Sequence, residues 1–281
     1  MIKILMVFVI LLSVFNCEAK TYIKNYFKDV EILHFNSGVS LIDCIYIINL
    51  KNRTQKWTKV EKAFNFYGIY PNRVDAINGW ALSLHDKKIL SGNYSLRLRG
   101  GQIGCILSHL SALYDASKRN YNLIWVCEDD VQICKNPHAL SHLIAALSRI
   151  DPEWDVLYTD SDSKNSLGET VSSLGADFRP EFLHEELSYY IKRELIDEDF
   201  LKINQRFGAY SMIISKSGIE KILSHFTENY LWTAYDIDVH YVPSIRQYCL
   251  SYDLVSINYH ELSDTESDKH ALWTSEGERL K

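Results

Sequence analysis

LIWVCEDDVQI, Leu123 to Ile133, decides the fold. Five apolar residues run without alternation, three acids follow, and apolar residues resume at once. An unbroken β-branched and aromatic run predicts a strand buried on both faces, the kind found in parallel sheets. Three adjacent acids repel one another, so their place at the mouth of a buried strand needs a reason.

Side chains at the carboxyl ends of parallel strands face the crevice where α/β proteins bind ligands. Glu128 and Asp130 are two apart. In extended backbone they project to one side, with Asp129 opposite. Two hard oxygen ligands on one side suit Mn²⁺ or Mg²⁺, and such an ion would cancel their repulsion. The alternative is a solvated turn whose acids cap the next element.

The neighbouring segments repeat the pattern. LIDCIYIINL, residues 41–50, is another doubly buried strand. Trp57, Val60, Phe64 and Tyr67 follow at helical spacing, and Gly68 ends the helix. NRVDAI, 72–77, is a short second strand, completing a β-α-β opening. Residues 78–101 show no period and predict a surface excursion. Residues 103–118 and 138–148 read as helices, and 155–160, 209–215 and 254–260 as strands. A short helix covers 216–226. Residues 161–199 are polar and patternless, which predicts an active-site loop or an insertion. The alternation gives one α/β domain over 41–281 with a mostly parallel sheet, and 20–40 as a lead-in.

The chain has 281 residues, 47% of them hydrophobic, with a formal charge of -6. That bulk forms a core without disulfide staples. The lack of a basic stripe argues against nucleic-acid binding. Residues 1–19 carry a lysine, an apolar run from Ile4 to Phe15 and a cleavage pattern after Ala19, predicting a signal peptide or short membrane anchor. Of the five later cysteines, Cys44, Cys105 and Cys127 lie in apolar surroundings and read as core. No CxxC pair occurs, which argues against zinc.

Taken in order, several segments resemble glycosyltransferase family 25. They are IYIINLKNRTQKW (45–57), RVDAINGW (73–80), GQIGCILSHLSAL (101–113), CEDDVQI (127–133), GAYSMIISKSGIEKIL (208–223), the Ala234-Tyr235-Asp236 triplet and SDTES (263–267). The resemblance implies a single GT-A type nucleotide-sugar domain. It also implies a divalent ion, Mn²⁺ or Mg²⁺, and inverting transfer of a hexose, galactose foremost, from a UDP-sugar. The acceptor would be a glycan, as in lipopolysaccharide biosynthesis, or hydroxylysine. Carried over residue by residue, Glu128 and Asp130 fall on the metal motif, with His260 as the expected third ligand. Asn49, Arg53, Asp75, Gly104, Ser108, His109 and Asp129 fall on donor-binding positions. Asp236 falls on the base position, although the family's usual Pro-Val-Asp reads Ala-Tyr-Asp here. Asp238 takes the role if the register shifts by two.

Each residue also has a structural reading. Arg53 would be a solvated helix charge, Asn49 a helix cap, His109 a packed helix histidine and Asp236 an N-cap. Asp160 and Asp162 would meet the acceptor or end their strand in a turn. Trp232 and Tyr235 would stack on a sugar or fill the core. Two other functions compete: a metal-dependent phosphoester hydrolase, and a non-catalytic exported carbohydrate-binding protein. The leader adds a constraint. UDP-sugars are scarce in a bacterial periplasm, so the expected location is the secretory lumen of a eukaryote or the membrane of a bacterium.

Overall fold

The structure is a computed structural model, and it describes residues 22–94, 97–164, 169, 179–180 and 182–257. After a 3-10 turn at Ile23–Tyr26 come β1 (Cys44–Asn49), α1 (Thr54–Asn65) and β2 (Asn72–Asp75). Next come α2 (Leu84–Ser91), α3 (Gly100–Lys118), β3 (Leu123–Glu128) and β4 (Val131–Ile133). α4 (Leu140–Ile150), β5 (Val156–Tyr158), α5 (Leu187–Tyr190), β6 (Arg193–Leu195) and β7 (Phe200–Ile203) follow. The described part ends with β8 (Ser211–Ser215), α6 (Lys216–Glu228), α7 (Tyr235–Asp238), β9 (Gln247–Leu250) and β10 (Val255–Ile257).

Eight strands form one sheet in the order β2-β1-β3-β8-β5-β9-β7-β6, and β10 pairs with β4 in a second. The sheet is mixed. β1 runs parallel to β2 and β3, and β5 parallel to β9. β8 lies antiparallel between β3 and β5, and β7 antiparallel between β9 and β6. So six of the eight strands share the expected common direction, and β8 and β7 run against it. Strand direction is set by partners distant in sequence, and β8's apolar run is the same in either direction.

The doubly buried strands separate two cores. In β1, Tyr46 and Ile48 face one core, while Ile45 and Ile47 face the other. In β3, Ile124 and Val126 oppose Trp125 and Cys127 in the same way. The first core is closed by α3, through Ile103, Ile106, Leu107 and Leu110, and by α6, through Ile219, Ile222 and Phe226. The second is closed by α1, through Val60 and Phe64, and by α4, through Leu140, Ile144 and Leu147. The result is helix, sheet and helix in three layers. Among the described residues, no helix is long and apolar enough to cross a membrane.

Three segments differ from expectation. The excursion at 78–101 contains α2, started by a capping box in which Ser83 accepts from the Asp86 N–H and Asp86 from the Ser83 N–H. The polar stretch 161–199 carries α5 and β6 among its described residues, and β6 forms a hairpin with β7 at the sheet edge. β9, flanked by polar residues, carries no alternating signal. The lead-in is docked: the Leu33 and His34 N–H groups donate to Asn72 Oδ1 at 2.8 and 2.9 Å, and Asn72 Nδ2 donates back to the His34 carbonyl. The leader at 1–19, SDTES at 263–267 and His260 lie outside the described residues.

Candidate functional site

β1 and β3 are parallel neighbours, in register from Cys44↔Ile124 to Ile48↔Glu128, so they end together. At that edge the backbone does not stay extended. Asp129 and Asp130 form a turn between β3 and β4. The turn corrects the alternating geometry expected of Glu128, Asp129 and Asp130. Asp129 and Asp130 both approach Lys56 in the first turn of α1, whose Nζ lies 3.6 Å from Asp129 Oδ1 and 3.9 Å from Asp130 Oδ2. Glu128 faces α3, with Oε1 3.2 Å from His109 Nε2 and 3.8 Å from Cys105 Sγ.

Asp130 is the most perturbed acid at this edge. Its Oδ1 is buried and has no hydrogen-bond partner. Burial first, then the charge on Glu128, push its carboxyl up to about 7, opposed by Lys56. Asp236, second in α7, adds another acid. Burial raises its carboxyl above the usual range, the Gly208 N–H opposes this, and Glu128 adds to it. Gly208 reaches Asp236 Oδ2 at 2.6 Å from a left-handed backbone, φ +84°, which glycine adopts without penalty.

The other sequence candidates separate into two groups. Asn49 is buried at the end of β1 and donates from Nδ2 to Asp129 Oδ2 at 2.5 Å and to the Arg53 carbonyl at 3.1 Å. It therefore ties the first strand end to the acidic turn while restraining the start of α1. Asp75 is the register partner of Asn49 in β2, half-exposed at the same edge. Arg53 stands directly before α1. These three share the strand-end edge with the acids.

Gly104 and Ser108 pack the loop after β2 against α3. A Cβ on Gly104 would lie 2.3 Å from the Ile77 carbonyl oxygen, and one on Gly79 would lie 2.5 Å from the Gly104 nitrogen. Only glycines permit this approach of the 77–80 loop to α3. Ser108 Oγ accepts from the Ile77 N–H at 2.8 Å and donates to the Gly104 carbonyl at 2.6 Å. Both residues fix the loop that follows β2. His109 is buried, and its ring stacks on Tyr235, with centroids 4.4 Å apart at 14°. Tyr235 is itself stacked on Phe226, which makes it core.

Asp238 does not join the acids. Both its oxygens accept from Arg179 Nη1, at 2.8 and 2.6 Å, and His225 Nε2 lies 3.2 Å from Oδ1. The pair is fully buried. Asp160 is likewise held by Arg206, at 2.9 and 3.3 Å, and by the Tyr210 hydroxyl. Asp162 is paired with Arg193. Trp232 packs edge-on against Tyr94, with the Arg97 guanidinium 4.3 Å from its ring.

Two residues at this edge were passed over in the sequence. Lys56 is three beyond Arg53, so one helical turn after the strand carries both cations. Cys105, read as core, is only partly buried and lies against Glu128. Its spacing of four from His109 put the two on one helix face.

The fold is a three-layer α/β architecture with carboxylates crowded at adjoining strand ends. The family model for glycosyltransferase family 25 (LPS biosynthesis protein) matches residues 42–239, and the chain belongs to that family. A glycosyltransferase 25 family member of Anopheles gambiae is 30% identical over 129 residues, covering 41% of this chain and 21% of that protein. Human procollagen galactosyltransferase 2 is 29% identical over 126 residues, covering 41% of this chain and 20% of its own. Human inactive glycosyltransferase 25 family member 3 is 27% identical over 139 residues, 46% of this chain and 23% of that one. The chain thus spans about a fifth of the length of these curated relatives. Among solved structures, the crystal structure of A197 from STIV aligns at a TM-score of 0.38 and 12% identity, over 74% of this chain and 81% of that one. A likeness that loose carries no argument.

Proposed function

We propose that this chain is a hexosyltransferase of GT-A type that moves a sugar, galactose foremost, from a UDP-sugar to a hydroxyl of a glycan or of hydroxylysine, with inversion. The observation that carries this reading is the buried, unpartnered Oδ1 of Asp130 in a crowd of carboxylates. A buried carboxylate oxygen without a donor is costly, and a cation is the partner that relieves it. The donors are hard oxygens, which fit Mn²⁺ or Mg²⁺, and Glu128 and Asp130 would hold the ion. When bound, such an ion stabilises the negative charge of a departing diphosphate.

The chain's own groups supply the rest. Lys56 and Arg53, on the first turn of α1 and just before it, bring positive charge to the edge where the diphosphate would lie. Asn49 holds Asp129 and the α1 start in fixed relation, and Asp75 offers a carboxylate to the nucleoside. Asp236 accepts the acceptor's proton as the new glycosidic bond forms and the bond to the diphosphate breaks. Burial raises its basicity above that of an exposed aspartate. Asp238 lacks this freedom, because Arg179 engages both its oxygens. With residues 1–19 as a signal or anchor, the enzyme would act in a secretory lumen or at a membrane.

The test pairs stability with turnover. Asp130→Ala should melt near the parent temperature and lose Mn²⁺-dependent transfer from UDP-galactose. Parent-level turnover in that variant would remove Asp130 from the mechanism. Mn²⁺-dependent release of phosphate from simple phosphoesters, without sugar transfer, would favour a hydrolase. Neither activity in the parent protein would favour a non-catalytic role; one relative carries "inactive" in its name.

A further inference from the structure

We propose that Cys105, His109 and Glu128 form a binding site for a borderline-soft divalent cation of the Zn²⁺ class. The site shares Glu128 with the proposed donor-metal site, so the two ions exclude each other. This exclusion rests on the transferase reading; the site itself does not.

Cys105 and His109 are one turn apart on a face of α3, and the β3 end brings Glu128 between them. The three ligand atoms lie within 4.8 Å of one another. His109 Nε2 is 3.2 Å and Cys105 Sγ 3.8 Å from the same Glu128 oxygen. Tetrahedral zinc, with bonds of roughly 2.0–2.3 Å, holds nitrogen and oxygen about 3.4 Å apart and sulfur and oxygen about 3.6 Å apart. These two separations differ from the tetrahedral values by a few tenths of an ångström, and Cys105 Sγ and His109 Nε2 lie within 4.8 Å, so seating the ion draws the thiol and the imidazole toward each other.

Stacking on Tyr235 already fixes the plane of the His109 ring. A ligated imidazole is usually oriented by a hydrogen bond from its other nitrogen; here His109 Nδ1 has no such partner, and the stack replaces it. Donor chemistry separates the two sites. A thiolate and an imidazole favour zinc-like ions, whereas the carboxylates around Asp130 favour Mn²⁺ or Mg²⁺. On coordination Cys105 binds as thiolate and its proton passes to solvent. A CxxC motif is not needed, because the helix supplies the spacing and the strand end supplies the third ligand.

Cobalt(II) is the probe, added to the full chain without nucleotide. The expected result is a cobalt–thiolate charge-transfer absorption in the near ultraviolet that Zn²⁺ displaces. It should vanish in Cys105→Ser and persist in Cys134→Ser and Asp130→Asn. No absorption, or absorption lost only in Cys134→Ser, would overturn the site. A second measurement needs no variant: Zn²⁺ should slow alkylation of Cys105 in the parent protein, read by peptide mass mapping, and an unchanged rate would also overturn it. The exclusion is read by release of bound Mn²⁺, followed by electron paramagnetic resonance, as Zn²⁺ is added. An absent cobalt band with intact Mn²⁺-dependent transfer removes only the zinc site. A cobalt band without any sugar transfer removes only the transferase reading.

Discussion

Two groups of acids in this protein have different surroundings. At the β1–β3 edge, Glu128, Asp130 and Asp236 crowd together, and Asp130 keeps a buried oxygen unpartnered. Asp160, just after β5, and Asp238, at the end of α7, are buried more deeply still, but each is clamped by an arginine, Arg206 and Arg179. Although burial opposes the charge on Arg206, the Asp160 carboxylate beside it raises the guanidinium pKa above its usual range. A compensated buried acid holds the fold together. An under-compensated one stores repulsion that a ligand can relieve, and such sites are where function concentrates.

That contrast can be broken in several places. The largest expected effect is at the crowded edge. Asp236→Asn keeps the side chain's size and should lower kcat by about 10² to 10⁴, the usual scale for a general base, with little change in UDP-sugar affinity. Steady-state kinetics with a verified acceptor decide it, and an unchanged kcat would place the base elsewhere.

The clamped acids should fail differently. Arg206→Met leaves Asp160 buried without its charged partner and should cost about 3–5 kcal/mol in urea unfolding. Any activity lost should track the folded fraction. If Arg206→Met folded as stably as the parent, the structural reading of that pair would be wrong.

A pH experiment on chelator-treated protein tests the crowding directly. Asp130's carboxyl is raised from 3.8 to about 7 in the fold, so between those values the folded state holds more protons than the unfolded one. Its contribution therefore makes stability fall as pH rises through that window. Asp130→Asn should flatten that part of the stability profile and leave the protein more stable at pH 7 than the parent. A profile identical to the parent's would show that the acids are not crowded.

The smallest effect calibrates the others. Ser83→Ala removes one half of the α2 capping box, far from both groups in chemistry, and should cost about 1 kcal/mol with kcat unchanged. A loss of activity there would mean that α2 positions the site.

Much of this was written locally in the chain. The apolar runs of β1 and β3 and the spacing on α1, α3 and α4 follow from nearest-neighbour periodicity, which needs no tertiary partner. The family was legible too, because its motifs stand in order from Ile45 onward. The Ser83–Asp86 cap was also local, a start signal for α2 hidden in a stretch without periodicity. The tertiary structure alone decided the antiparallel entry of β8 and the turn that breaks the extended geometry of Glu128, Asp129 and Asp130. It alone decided which acids meet arginines. Arg206 lies 46 residues from Asp160, and Arg179 lies 59 from Asp238. An aspartate's sequence carries no mark of whether a distant guanidinium will neutralise it. That pairing depends on long-range packing, and it is what separates the acids that hold the fold from those left to bind.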